Sequence, residues 1–136
     1  MSDSGLPAPA PIVSPEAKPY WEAAARNTLS LQRCDACAAV VWYPRGLCPE
    51  CGGVDLTWFD ASGRGTVYSC TVNRRGMGDY KDAAPYVLAY VELDEGPRVL
   101  TNVVGCDPDT VHIGQPVQAV FDAAGEGVAL VRFTPA

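Results

Sequence analysis

Cys34-Asp35-Ala36-Cys37 and, ten residues on, Cys48-Pro49-Glu50-Cys51 form two Cys-x-x-Cys pairs. A Cys-x-x-Cys turn aims two sulfurs at one point, so two such turns supply the four soft thiolates of a tetrahedral zinc site. The short spacer still suffices for a β-hairpin that carries one knuckle to the other, and Val40-Val41 with Trp42-Tyr43-Pro44-Arg45 supplies it. Four thiolates with no fifth donor nearby leave no open position for water, which marks the ion as structural. A unit of roughly twenty residues buries too little apolar area to fold alone, so metal makes up the deficit.

The rest of the chain is organised around this ribbon, residues 34–53. Residues 1–13 are rich in proline and alanine and read as a flexible arm. Residues 14–33 hold a helix and a lead-in strand. Ser14-Pro15-Glu16 is a good helix start, but Pro19 would delete a backbone bond one turn later, which moves the expected start toward Lys18. The helix then runs through Arg26, and Thr28 to Gln32 alternate like a strand. Residues 54–136 carry strand patterns at 54–60, 64–74, 85–94, 97–104, 115–122 and 127–134, separated by Gly-, Pro- and Asp-rich turns. Short antiparallel strands without intervening helices predict a small barrel of the oligonucleotide/oligosaccharide-binding (OB) type. The fold class is therefore mainly β: an N-terminal helix, a rubredoxin-like zinc ribbon and a C-terminal OB-fold antiparallel β-barrel. In Tyr86 to Val91 both alternating faces are apolar. The outward set, Tyr86, Leu88 and Tyr90, calls for a cover from the helix, the ribbon or a partner.

Charge and composition narrow the function. The chain has 136 residues, six cysteines, one histidine and a formal charge of −6. Residues 83–136 carry seven acids against Arg98 and Arg132, which weighs against a polyanion-binding barrel, so a single-stranded nucleic-acid-binding module is the second-ranked expectation. There is neither a secretory pattern nor a stretch of membrane-spanning length, and a cytoplasmic, membrane-free protein is expected. Cys70 reads as a core thiol on the strand face of Tyr68 and Val72. Cys106 lies in a turn, and His112 is the sole imidazole, so neither cysteine has a sequence-visible base. The acids Asp107, Asp109 and Asp122 read as solvated turn residues. No nucleophile–base set or paired carboxylates stand out, and no enzyme activity is expected.

Taken in order, Pro19-Tyr20-Trp21, the two knuckles with Tyr43-Pro44-Arg45 between them, Ser62-Gly63-Arg64-Gly65-Thr66-Val67-Tyr68-Ser69, Ala84-Pro85-Tyr86, Leu93-Asp94-Glu95-Gly96, Ile113-Gly114-Gln115-Pro116-Val117 and Phe133 resemble a known family. It is the zinc-ribbon/OB-fold family of acyl-CoA-associated proteins. Ala38 departs from the glycine that often follows a knuckle in that family, whereas Gly52 keeps it. The resemblance implies a non-catalytic subunit that accompanies thiolases, lipid-transfer-type aldolases and sometimes enoyl-CoA hydratases, helps bind or pass acyl-CoA and stabilises the catalytic partner, with steroid side chains or other unusual acyl-CoAs as the implied substrates.

Three sets of site residues follow. Cys34, Cys37, Cys48 and Cys51 are the zinc ligands. Arg74, Arg75 and Lys81, in a loop with Gly76 and Gly78, form the densest positive spot and suit the phosphates of coenzyme A. Tyr20, Trp21, Trp42, Tyr43, Arg45, Tyr86 and Tyr90 are the expected partner-facing residues, with Trp42 and Tyr43 as an exposed hairpin tip.

Overall fold

The computed structural model describes residues 4–136, so the first three residues of the expected arm lie outside the described residues. A 3-10 turn at Pro15–Ala17 leads into helix α1, Lys18–Ala25. Pro19 is tolerated because a first-turn amide has no helical acceptor to lose. Ser14 makes no side-chain cap. The helix ends as Asn27 enters the left-handed region at φ 58°. Thr28 N–H then donates to Ala23 O (3.0 Å) and Asn27 N–H to Ala24 O (3.0 Å), the two bonds of a Schellman cap. Ala17, Tyr20, Ala23 and Ala24 form its buried stripe.

Strands β1 (Ser30–Cys34), β2 (Val40–Val41) and β3 (Leu56–Asp60) make a three-stranded antiparallel sheet in the order β2-β1-β3. The sequence assigns residues 54–60 to the barrel. The structure instead pairs β3 with β1 from Ser30↔Asp60 to Cys34↔Leu56, because β1 already holds its other edge against β2.

The second sheet contains β4 (Arg64–Asn73), β5 (Tyr86–Leu93), β6 (Arg98–Thr101), β7 (Pro116–Ala123) and β8 (Ala129–Pro135), in the order β6-β5-β4-β7-β8. It curls until the chain after β6 meets β8. Val103 and Phe133 form a parallel bridge, flanked by Val104 N–H to Phe133 O (2.8 Å) and Phe133 N–H to Asn102 O (3.0 Å). This is the five-stranded, partly open barrel of an OB fold. Phe133 is fully buried at the seam, inside a core that includes Val67, Val91 and Phe121.

A β-bulge between Val67 and Ser69 resets the alternation of β4. Beyond it Cys70 faces Ala89 and Val72 faces Val87, both buried. Cys70 and Val72 therefore share the inner face, as read from the sequence, but Tyr68 does not. Tyr68 stands outside under the guanidinium of Arg98, 3.8 Å from its ring centre. The outer face of β5 and β6 keeps Tyr90 (46 % exposed) and Leu100 (57 % exposed) open. Neither helix nor ribbon covers that part of it. Among the described residues no helix is long and apolar enough to cross a membrane.

Asp122 is not a solvated turn residue. It is buried with Arg132, Oδ2 to Nη1 at 2.6 Å, and the pair is 6 % and 2 % exposed. The guanidinium also donates from Nη1 to Ser4 Oγ (3.1 Å), from Nη2 to Pro7 O (2.6 Å) and Tyr80 Oη (3.0 Å), and from Nε to Asn102 Oδ1 (3.3 Å). Over its described part the N-terminal arm is thus tied to the barrel. Removing one partner of such a pair strands a buried charge. Asp122→Asn is expected to cost about 3–5 kcal/mol in urea unfolding, whereas joint replacement of Asp122 by Leu and Arg132 by Met recovers much of that loss.

Candidate functional site

Cys34 Sγ and Cys51 Sγ lie 3.6 Å apart, as do Cys37 Sγ and Cys48 Sγ. All four sulfurs fall within 4.8 Å of one another. Sulfurs about 2.3 Å from a central ion at tetrahedral angles stand about 3.8 Å apart, so this donor set fits Zn²⁺.

The two knuckles repeat one backbone pattern. Cys34 N–H donates to Ala39 O (2.9 Å) and Ala38 N–H to Cys34 O (2.8 Å). Cys48 N–H donates to Gly53 O (2.8 Å) and Gly52 N–H to Cys48 O (2.9 Å). The pattern requires a left-handed residue after the second cysteine, which Gly52 supplies at φ 77° and Ala38 at φ 65°. For alanine that conformation is costly. Backbone N–H groups of Glu50 and Gly53 point at Cys48 Sγ and Cys51 Sγ, each at 3.4 Å. In the absence of metal the thiols differ in acidity. The Cys51 backbone N–H, aided by that of Glu50, lowers Cys48 to about 7. At Cys37 the Ala39 N–H lowers the value, but desolvation and the thiols of Cys48, Cys51 and Cys34 prevail and push it up to about 12. Metal binding therefore expels protons, and zinc is held less tightly as pH falls.

The ribbon fixes what lies between the knuckles. Buried Gln32 donates from Nε2 to Arg45 O (3.0 Å) and accepts the Arg45 N–H at Oε1 (3.0 Å), which locks the hairpin to β1. Arg45 folds onto its own hairpin, Nε to Tyr43 O (2.8 Å) and Nη2 to Trp42 O (3.3 Å). Trp42 and Tyr43 are not an exposed tip. They pack on Tyr20 with ring centres 5.2 and 6.0 Å away, and Trp21 Nε1 donates to Tyr43 Oη at 3.0 Å. Tyr20 is buried, and its hydroxyl titrates above its ordinary range because of that burial and of neighbouring Tyr43. Four of the expected partner-facing residues thus form a single cluster. They wall a cleft of about 210 Å³ that reaches Leu100, Asn102 and Arg132 on the barrel.

Tyr86 and Tyr90 lie apart from that cluster. Tyr86 is half-buried, accepts the Asn73 Nδ2–H (3.2 Å) and packs against Tyr80 with ring centres 5.4 Å apart and planes tilted by 43°. Tyr90 lines an apolar hollow with Leu88 and Leu100, and Leu100 also borders the aromatic cleft. In the cationic loop Arg74 pairs with Asp109 (Nη2 to Oδ1, 2.5 Å), both well exposed. Arg75 and Lys81 are exposed and in no ion pair among the described residues. Gly76 packs so closely under Tyr80 that a Cβ there would stand 1.7 Å from the Tyr80 carbonyl oxygen. The loop is a built turn that needs glycine at this position.

Sequence reasoning missed Gln32, Asn102 and the Asp122–Arg132 pair. The one visible signal is Arg132 itself, a lone charge amid Val131 and Phe133 in a strand otherwise suited to the core. Two results are expected from the ribbon geometry. Stripping zinc with a chelator should abolish the near-ultraviolet circular dichroism of the Trp42 cluster while the β8 seam persists in hydrogen exchange. Ala38→Gly should raise unfolding stability by about 1 kcal/mol through relief of the left-handed alanine, measured on the zinc-loaded protein.

Comparison with known proteins gives the family. Residues 21–57 match the domain described as ChsH2, rubredoxin-like zinc ribbon, and residues 58–122 match ChsH2, C-terminal OB-fold. A DUF35 domain-containing scaffold protein of Methanothermobacter thermautotrophicus is 41 % identical over 99 residues, covering 71 % of this chain and 73 % of that protein. A probable enoyl-CoA hydratase alpha subunit of Thermomonospora curvata is 38 % identical over 128 residues, 94 % of this chain but 40 % of the relative, so the chain spans well under half of that protein's length. The solved structure described as Ltp2-ChsH2(DUF35) aldolase superposes with a TM-score of 0.81 at 38 % identity, over 92 % of this chain and 98 % of the matched one. With the ribbon, barrel and four-cysteine cluster in the matching order, the chain belongs to the ChsH2/DUF35 family of zinc-ribbon and OB-fold proteins.

Proposed function

We propose that this chain is a non-catalytic accessory subunit that docks on a thiolase-fold enzyme, a thiolase or a lipid-transfer-type aldolase, and helps bind its acyl-CoA substrate, steroid side-chain thioesters included. The observation that carries the reading is the uncovered apolar strip of Leu88, Tyr90 and Leu100 on the outer face of β5 and β6, continuous through Leu100 with the aromatic cleft. An antiparallel barrel normally turns polar residues to water on that face. Apolar side chains left open there serve a protein surface. Relatives named as a hydratase subunit and an aldolase complex support an acyl-CoA enzyme as the owner of that surface. Arg75 and Lys81, in no ion pair among the described residues, suit the phosphates of coenzyme A, and Arg74 joins them when it leaves Asp109.

Co-expression with a thiolase-fold acyl-CoA enzyme is expected to give a complex on gel filtration, and Tyr90→Asp with Leu100→Asp to dissociate it without loss of zinc. In calorimetry, Arg74→Ala with Arg75→Ala should weaken coenzyme A binding about tenfold, while Asp109→Asn strengthens it by freeing Arg74. A zinc-loaded monomer that binds neither coenzyme A nor such an enzyme would sink the reading.

A further inference from the structure

The Arg132 cradle joins segments that are distant in the chain, the N-terminal arm among them. Residues 4–14 belong to no helix or strand. Pro7, Pro9 and Pro11 have no N–H to give to a ladder. The Arg132–Asp122 pair ties the arm down: the guanidinium donates to Ser4 Oγ and to the Pro7 carbonyl, Ser4 Oγ donates to Asp122 Oδ2 at 2.5 Å, and Tyr80 Oη donates to that same carbonyl at 3.4 Å.

Beneath the arm lies a cavity of about 250 Å³, lined by Ser4, Leu6, Tyr86, Val87 and Cys106. The aromatic cleft lies beside it. Between the two stand the tilted Tyr80–Tyr86 ring contact and the Asn102 Nδ2 bond to Val87 O (2.8 Å). In each pair one member faces the cleft and the other the cavity. Tyr80 is held in place by the same arm carbonyl and the same guanidinium.

Charge selects the chemistry of what could replace the arm. Asp122 neutralises Arg132 at 2.6 Å, so the cradle offers directed N–H donors with no net positive charge. Such a site suits a neutral carbonyl better than a phosphate. The carbonyl it holds now is that of Pro7.

We propose that residues 4–7 are a strap closed over this cradle. Its release joins cleft and cavity into one groove for the neutral, amide-bearing pantetheine arm of an acyl thioester, whose carbonyl takes the place of Pro7. The inference rests on the acyl-CoA reading and assigns that ligand's route and its gate. Binding then carries the cost of opening the strap, so removal of the strap tightens apparent affinity by the reciprocal of the open fraction.

The test compares the zinc-loaded full chain, a chain lacking residues 1–9, and Ser4→Ala, which loosens the strap and leaves the Arg132–Asp122 pair in place. S-acetyl-pantetheine and acetyl-CoA are titrated by calorimetry, and a fluorescein-labelled peptide of residues 1–12 is bound to the truncated chain. The expected result is binding about tenfold or more tighter for the truncated chain, an intermediate gain for Ser4→Ala, and displacement of the peptide by either thioester. Equal affinity in all three forms overturns the strap and leaves the acyl-CoA reading standing. A bound peptide that neither thioester displaces overturns the shared groove. No thioester binding in any form overturns both. If the truncated chain fails to unfold cooperatively with full zinc content, Ser4→Ala decides alone, and an unchanged affinity there counts against the strap.

Discussion

Four sulfurs must converge on a single divalent ion before the ribbon can hold any shape. The stretch between the knuckles has no core of its own, and β2 is only two residues long. The ion supplies the closure, and β1 carries it outward, since one strand ends in ligand Cys34 and also pairs with both β2 and β3. From β1, Gln32 grips the hairpin backbone, and the hairpin sets Trp42 and Tyr43 against Tyr20 on the helix. A metal site with no open coordination position thus sets one wall of a cleft that reaches the barrel. In zinc proteins of this kind binding free energy is folding free energy, and here the path toward the barrel runs through aromatic rings packed edge to face.

The barrel end has its own anchor in the Arg132–Asp122 pair. Ion pairs buried to this degree add little net stability over an apolar substitute, because desolvation offsets attraction. Their value lies in direction. A guanidinium has five donors in a fixed plane, and those of Arg132 reach the arm, the cationic loop, the turn after β6 and β7. Apolar packing would hold these segments together without fixing which atom of each meets the others.

The sequence revealed what depends on local spacing. Both knuckles, the helix start at Lys18 forced by Pro19, and the strands of the barrel follow from residue types a few positions apart. It concealed what depends on pairing between distant segments. Nothing in residues 54–60 says that the strand joins β1 and not the barrel, since its alternation suits either sheet. Asp122 sits beside a turn signal and looks solvated until Arg132 is brought diagonally across from it on β8. Trp42 and Tyr43 look like a tip because hairpins usually end in water, and only the position of Tyr20 shows them covered. Of the candidate site, the zinc ligands were legible from spacing alone, whereas the cradle was not.

The bulge at Tyr68 turns β4 into a phase converter. Before it, odd-numbered residues such as Val67 face the core, and after it the even-numbered Cys70 and Val72 do. The strand therefore contains a built-in frameshift, and two incompatible two-residue rhythms coexist in one continuous ladder. Removing one residue there would not merely shorten the strand. It would bring the two halves into a common frame, with Val67, Cys70 and Val72 in plain alternation opposite Val91, Ala89 and Val87, and would erase the local bend and extra twist that the inserted residue gives the barrel wall.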